Sequence, residues 1–223
     1  MDADTRWLLR LAVGCLAAMV LSLVLLDAPL AAWVKAHDTH PAIWNHLLAV
    51  LEYAMGIEPW RWLGTTVLVA GTLISRAVPR WHGAAKKWLL VTLAHFVAVN
   101  LMMWGKHFSG RLRPHQWHVG AQWLQHGGSF PSGHLTFVGS LALPIAVLYP
   151  RSRNAVLAII AYVGCARVAV SAHWASDVFS GTALAALVTW ACVTAVRRAP
   201  WPAAPSASLP GTDPAGTDPA PSA

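Results

Sequence analysis

Residues 88–104 read WLLVTLAHFVAVNLMMW, and residues 105–114 continue GKHFSGRLRP. The first stretch carries no Asp, Glu, Lys or Arg, and it is followed at once by Lys106 and, seven positions on, by Arg113-Pro114. An apolar run of this kind needs every backbone N–H and C=O satisfied internally if it sits in lipid, so it reads as a membrane helix. Charges placed against its end are costly unless they face an anion, a partner or water. The pairing of the two stretches sets the frame for the rest of the chain: helices in a bilayer, with polar chemistry gathered at one end.

The whole chain fits that frame. Of 223 residues, 56% are hydrophobic and only 11% charged, whereas a soluble domain carries about 25% charge. Six runs qualify as spans, roughly Trp7–Leu26, Trp60–Val78, Trp88–Trp104, His134–Tyr149, Asn154–Ala172 and Val178–Val196. Several fall short of the ~20 apolar residues that cross a ~30 Å core at 1.5 Å per residue. The expected fold class is therefore all-α, one six-helix membrane bundle over 1–199, with Arg10, Arg76 and Arg167 snorkelling or facing the interior. Arg6 and Arg10 before an apolar run also suit a signal peptide, but six spans leave both termini on one side and favour an uncleaved first helix.

Basic residues orient the bundle. Arg6, Arg10, Arg76, Arg80, Lys86, Lys87, Arg151, Arg153, Arg197 and Arg198 fall on one side; Lys35, Arg61, Lys106, Arg111, Arg113 and Arg167 fall on the other. The richer side is expected in the cytoplasm with both termini, which puts the second set at the periplasmic face of an inner membrane. The formal charge of +7 then reflects helix ends and calls for no nucleic-acid partner. Trp33, Trp60, Trp62, Trp81, Trp88 and Trp104 cluster at span ends as an aromatic belt. Cys15, Cys165 and Cys192 lie in apolar spans without CxxC or Cys/His spacing and read as buried free thiols.

Between the first two spans lies a long outer connection, 27–59. Within it Trp44, Leu47, Leu48, Leu51 and Met55 recur at helical spacing after Pro41, the pattern of an amphipathic surface helix that serves as a lid or as an interfacial anchor. His37, His40 and His46 read as solvated, and His95 as an interhelical hydrogen bond. Residues 105–130 are polar with no long helix. Residues 200–223 are rich in Pro, Ala, Ser and Gly, and are expected to be a disordered tail.

Three clusters carry chemistry. Lys106 and Arg113 supply cations beyond the third span. Pro131-Ser132-Gly133-His134 opens the fourth: proline suits a first helical turn, glycine permits close approach, and the free amides with the helix dipole favour a phosphate. Arg167 sits in an apolar run, and His173 and Asp177 are spaced to share a face if the sixth helix has begun. The carboxylate then fixes the imidazole tautomer. Each cluster alone has a bland reading (a snorkelling pair, a serine cap, a structural hydrogen bond), but three in order on one side do not.

These residues resemble the type 2 phosphatidic acid phosphatase superfamily, whose motifs are K-x6-RP, PSGH and SR-x5-H-x3-D. Ten of the eleven motif residues stand here; Ala166 replaces the serine. The resemblance implies a lipid phosphatase with His173 as nucleophile, Asp177 orienting it and His134 protonating the leaving group. It implies Lys106, Arg113, Ser132, Gly133 and Arg167 on the phosphate, with no metal and no cofactor. His107, beside Lys106, is not compelled by spacing. The expected partner is a lipid phosphate, with undecaprenyl diphosphate or a broad range favoured over phosphatidylglycerophosphate, phosphatidic acid and lipid A. A phosphotransferase with the same intermediate, and a transporter or structural bundle with a silent site, are alternatives; a vanadium-dependent haloperoxidase shares the motif pattern, but six spans count against it, and oligomeric state is left open.

Overall fold

In the computed structural model, which describes residues 3–37, 39, 41–54, 63–118 and 120–199, every regular element among the described residues is a helix. Helix α1 (Ala3–Leu21) passes through a π-helical turn at Ser22–Leu26 into α2 (Asp27–Ala36) without leaving helical geometry. Then come α3 (Pro41–Ala54), α4 (Leu63–Ala77), α5 (His82–Ser109), α6 (Gly133–Leu148), α7 (Arg153–Ala169) and α8 (Ala175–Arg198). Single 3-10 turns at Pro79–Trp81 and Pro150–Ser152 redirect the chain into α5 and α7, each opened by a proline whose missing N–H has no partner to lose.

Four stretches are long and apolar enough to cross a membrane: Thr5–Ala36, Pro79–Ser109, Pro150–Ala169 and Ala175–Arg198. Helices α4 and α6 are apolar but only 15 and 16 residues long. The expected six spans thus reduce to four of full length and two short ones among the described residues.

Several expected ends move. Asp27 begins a helix instead of a loop, because its charge is matched inside the protein. Helix α5 runs on to Ser109, so Lys106 lies in its last turn and not beyond it; the helix stops where Gly110, at φ +51°, takes the left-handed conformation that closes a C-terminus at little steric cost. Pro131 precedes the cap residue Ser132 and so stands outside the first turn of α6. Helix α8 begins at Ala175, which leaves His173 just before it and Asp177 within its first turn, not together on one helical face. Helix α3 forms over the amphipathic stretch as expected; Met55, His40, Trp60, Arg61, Trp62 and the 200–223 tail lie outside the described residues.

Helix α8 is the axis of the bundle, with α1, α5, α6 and α7 packed around it, α4 on α5 and α3 on α7. The shared core is apolar and small: Leu8 and Ala12 of α1, Leu135, Val138 and Leu143 of α6, Val163 of α7, and Ala185, Ala186 and Val193 of α8. Small residues permit the close approach on which helix packing in lipid depends. At Gly181 a Cβ would stand 2.7 Å from the Ser132 carbonyl oxygen, so glycine there lets α8 press against the turn that opens α6. His95 Nδ1 meets Ser140 Oγ at 3.0 Å, joining α5 to α6 as an interhelical bond. The three cysteines are free, but Cys165 is exposed and Cys15 and Cys192 are half-buried rather than enclosed.

Candidate active site

The short link from α7 to α8 is shaped by one carbonyl. The oxygen of Arg167 accepts from the N–H groups of Ala172 at 3.1 Å and His173 at 3.2 Å, which folds the link back and sets His173 against the start of α8. Asp177, fully buried, accepts the Trp174 N–H at 3.0 Å, a favourable place for a carboxylate at a helix N-terminus. It also accepts from Arg111 Nη1 at 2.7 Å and from the Ser129 hydroxyl, and its Oδ2 lies 3.5 Å from His173 Nδ1. His173 is 2% exposed, and burial pushes its imidazole down to about 4 despite the pull of Asp177. The ring is therefore neutral at pH 7, with Nδ1 toward the carboxylate and the Nε2 lone pair available.

The second motif is stitched to the same place. Ser132 N–H donates to the Asp177 carbonyl at 3.0 Å, so the turn opening α6 and the first turn of α8 hold each other. A Cβ at Gly133 would lie 3.4 Å from Lys106 Cε and 3.9 Å from its Nζ, which puts the lysine over the N-terminus of α6. Lys106 Nζ donates to the Gly128 carbonyl in the connecting loop.

Lys106, Arg113, Gly133, His134 and His173 line one cavity of about 360 Å³. Its other walls are Thr65 of α4, Val99, Met102 and Met103 of α5, and Phe137 of α6. One side is thus cationic and hydrogen-bonding, the other apolar. Ser132 Oγ and Arg167 Nε are buried with no hydrogen-bond partner in the protein; anion oxygens are the acceptors such donors suit. All eight site residues expected from the sequence converge on this region, with Asp177 behind His173. His107 is exposed, set against Phe108, and does not line the cavity. Ala166 is fully buried in the apolar cluster with Leu135 and Val163, where it serves packing.

Four participants escaped sequence reasoning. Arg111, 1% exposed, bridges Asp177 and Asp27 with 2.7 Å contacts to each and takes Gln122 Oε1 at 3.0 Å. Its guanidinium also stacks over Trp123 at 4.5 Å and Trp174 at 5.0 Å. Asp27 accepts further from Ser176 N–H at 3.0 Å. Ser129 is tied to Asp177, as described. Glu52 of α3 places Oε1 at 2.5 Å from His134 Nε2 and 3.6 Å from Arg167 Nη1. The only sequence signal for the three charged ones is an unexplained charge beside or within an apolar run.

A family model described as PAP2 superfamily matches residues 85–201. The chain is 33% identical to a lipid A 1-phosphatase of Rhizobium johnstonii, over 89% of this chain and 88% of that one. It is 30% identical to a lipid A 1-phosphatase of Rhizobium etli, over 84% of this chain and 88% of that one. No solved structure matches.

Proposed function

Because the chain belongs to the PAP2 superfamily and is a phosphatase, we propose that it hydrolyses the phosphate of a membrane glycolipid through a phosphohistidine on His173. The carrying observation is the neutral, carboxylate-held His173 opening on a cavity that is cationic on one wall and apolar on the other. That combination suits a phosphate attached to an acyl-bearing molecule. Among the four lipids that the residues allow, lipid A has the support of both relatives' names.

The chemistry follows from the residues. Lys106, Arg113 and Arg167, with Ser132 and the amide of Gly133, neutralise the non-bridging oxygens, which lowers the repulsion that an anionic ester presents to a nucleophile. His173 Nε2 attacks phosphorus, the bond from phosphorus to the leaving oxygen breaks, and His134 gives that oxygen a proton. Water then attacks the phosphorus, the P–N bond breaks, His134 takes the water's proton, and inorganic phosphate leaves. Asp177 holds the His173 ring throughout and stabilises positive charge on it. The same reading sets the bundle in an inner membrane with both termini in the cytoplasm and the cavity at the periplasmic face, on the distribution of Lys and Arg.

The test is phosphate release by the purified protein in detergent micelles from lipid A, undecaprenyl diphosphate, phosphatidylglycerophosphate and phosphatidic acid, with and without chelator, beside His173→Ala. Free phosphate, fastest from lipid A, unaffected by chelator and lowered more than about a thousand-fold in the variant, is the expected result. Equal turnover in both proteins, or phosphate passed to a second lipid without release, overturns it.

A further inference from the structure

Glu52 reaches the site from α3, an element outside the stretch that carries the three motifs. It is the single acid of that helix, and its side chain is 12% exposed. A carboxylate so enclosed is expensive without partners. It has two, His134 at 2.5 Å and Arg167 at 3.6 Å, both members of the phosphate-handling set. The placement is anchored. Leu48, one turn before Glu52, is 2% exposed, Trp44 packs on Tyr162 of α7 with rings 5.6 Å apart, and Thr39 Oγ1 donates to the Ala169 carbonyl at 2.8 Å.

We propose that Glu52 is the positioning residue of the acid–base histidine, so that the site holds two carboxylate–imidazole pairs, Asp177–His173 for the nucleophile and Glu52–His134 for the proton carrier. The proposal rests on the hydrolytic reading given above. The two pairs differ in a way that matches their duties. Asp177 shares its charge with Arg111, Ser129 and the Trp174 amide, and its His173 partner is kept neutral by burial. Glu52 sits in direct contact with His134, and the hydrogen bond from that ring is the chief reason its carboxyl is held below the usual range, against the opposing effect of burial and with help from Arg167. An ionised Glu52 sets a negative charge directly against His134 Nε2 and holds the ring in place for the proton transfer of the first step. With Nε2 committed to Glu52, Nδ1 is the atom that gives its proton to the leaving oxygen and later takes one from water, and the carboxylate fixes that tautomer.

The remaining charged and titratable groups around His134 act in the opposite sense. Lys106 of α5, Arg113 of the connecting loop and His173 line the same cavity, and Arg167 of α7 meets the Glu52 carboxylate. Lys106, Arg113 and Arg167 disfavour a second positive charge. Asp177 of α8 lies behind His173 and is neutralised by Arg111. Among the described residues Glu52 is the carboxylate in contact with His134 that offsets them.

The experiment uses the full chain in detergent micelles with lipid A and, in parallel, phosphatidic acid. Glu52→Gln keeps the shape and removes the charge. The expected result is a kcat lowered about ten- to a hundred-fold with KM unchanged or reduced, and an alkaline limb of the kcat profile displaced to lower pH. In a His134→Asn background the same substitution has no further effect, because its action runs through the ring that is gone. A wild-type kcat and profile in Glu52→Gln, a rise in kcat/KM with kcat intact (a carboxylate that merely competes with phosphate), or losses that multiply in the double variant each overturn the proposal. Should Glu52→Gln fail to fold, Glu52→Asp, one methylene shorter, reads the same split between kcat and KM. His173→Ala separates the two hypotheses. Wild type active, His173→Ala inert and Glu52→Gln unchanged removes the second pair alone; wild type inert on both lipids and indistinguishable from His173→Ala removes the hydrolytic reading with it.

Discussion

At the residue scale the proposed nucleophile, His173, is a histidine whose surroundings pull in two directions. Asp177 favours its charged form, while burial, aided by the nearby cations Lys106 and Arg167, favours the neutral one, and burial prevails. A nucleophilic imidazole must be neutral, so acid should remove activity only where this ring finally takes a proton. The free enzyme's kcat/KM is expected to hold as pH falls past 6.5, the ordinary value for histidine, and to drop through about 4. The sign is fixed by direction: depression of the folded-state value widens the acidic range in which the lone pair survives. For the same reason acid disfavours the fold progressively between those two values, because the unfolded chain binds the proton first. An acid limb centred near 6.5 in phosphate release from lipid A would contradict this placement of His173.

At the scale of elements, the site is held together by its connecting loop as much as by its helices. Arg111 is the clamp: one nitrogen of its guanidinium takes Asp177 and Ser176 of α8, the other takes Asp27 of α2, and two tryptophans cover its faces. Arg111→Met should cost about 3–5 kcal/mol, because two enclosed carboxylates lose their counter-charge. Arg111→Lys should recover little of that, since an ammonium cannot present two parallel edges to two acids. Thermal melts in detergent check both, and a melting temperature unchanged in Arg111→Met would show that the clamp carries no load. Arg111 also marks where the sequence stopped being legible. Lys106, Arg113, Ser132, Gly133, His134, Arg167, His173 and Asp177 stood out in the sequence because together they match the ordered motifs of a known superfamily. Asp27 read as the start of the outer connection and Arg111 as one more basic residue of the outer side, because a lone charge near apolar sequence says nothing about a counter-charge 84 residues away. Helix ends were misplaced for a related reason: Lys106 and Asp177, chemically conspicuous, look like punctuation but sit inside helices.

For the whole molecule, the expectation that matters is sidedness. With Cys15, Cys165 and Cys192 replaced, a cysteine at the exposed His118 of the connecting loop should react with a membrane-impermeant maleimide in intact spheroplasts. One at Ala199, after α8, should react only after permeabilisation. The reverse pattern would turn the cavity toward the cytoplasm and deprive it of any outer-leaflet lipid. Six membrane passes were read from composition, yet α4 and α6 are short, at 15 and 16 residues. The π-helical turn at Ser22–Leu26 has a consequence of its own. Such a turn accommodates one surplus residue, so everything downstream is screwed round by ~100° relative to an unbroken α-helix, at 3.6 residues per turn. Asp27 is the first residue beyond it and owes its inward heading to that phase shift. Forcing the turn into regular α geometry at unchanged length would swing the acid toward lipid and strand a guanidinium some eighty positions away, whereas deleting one amino acid from it would remove the surplus and leave the acid facing inward.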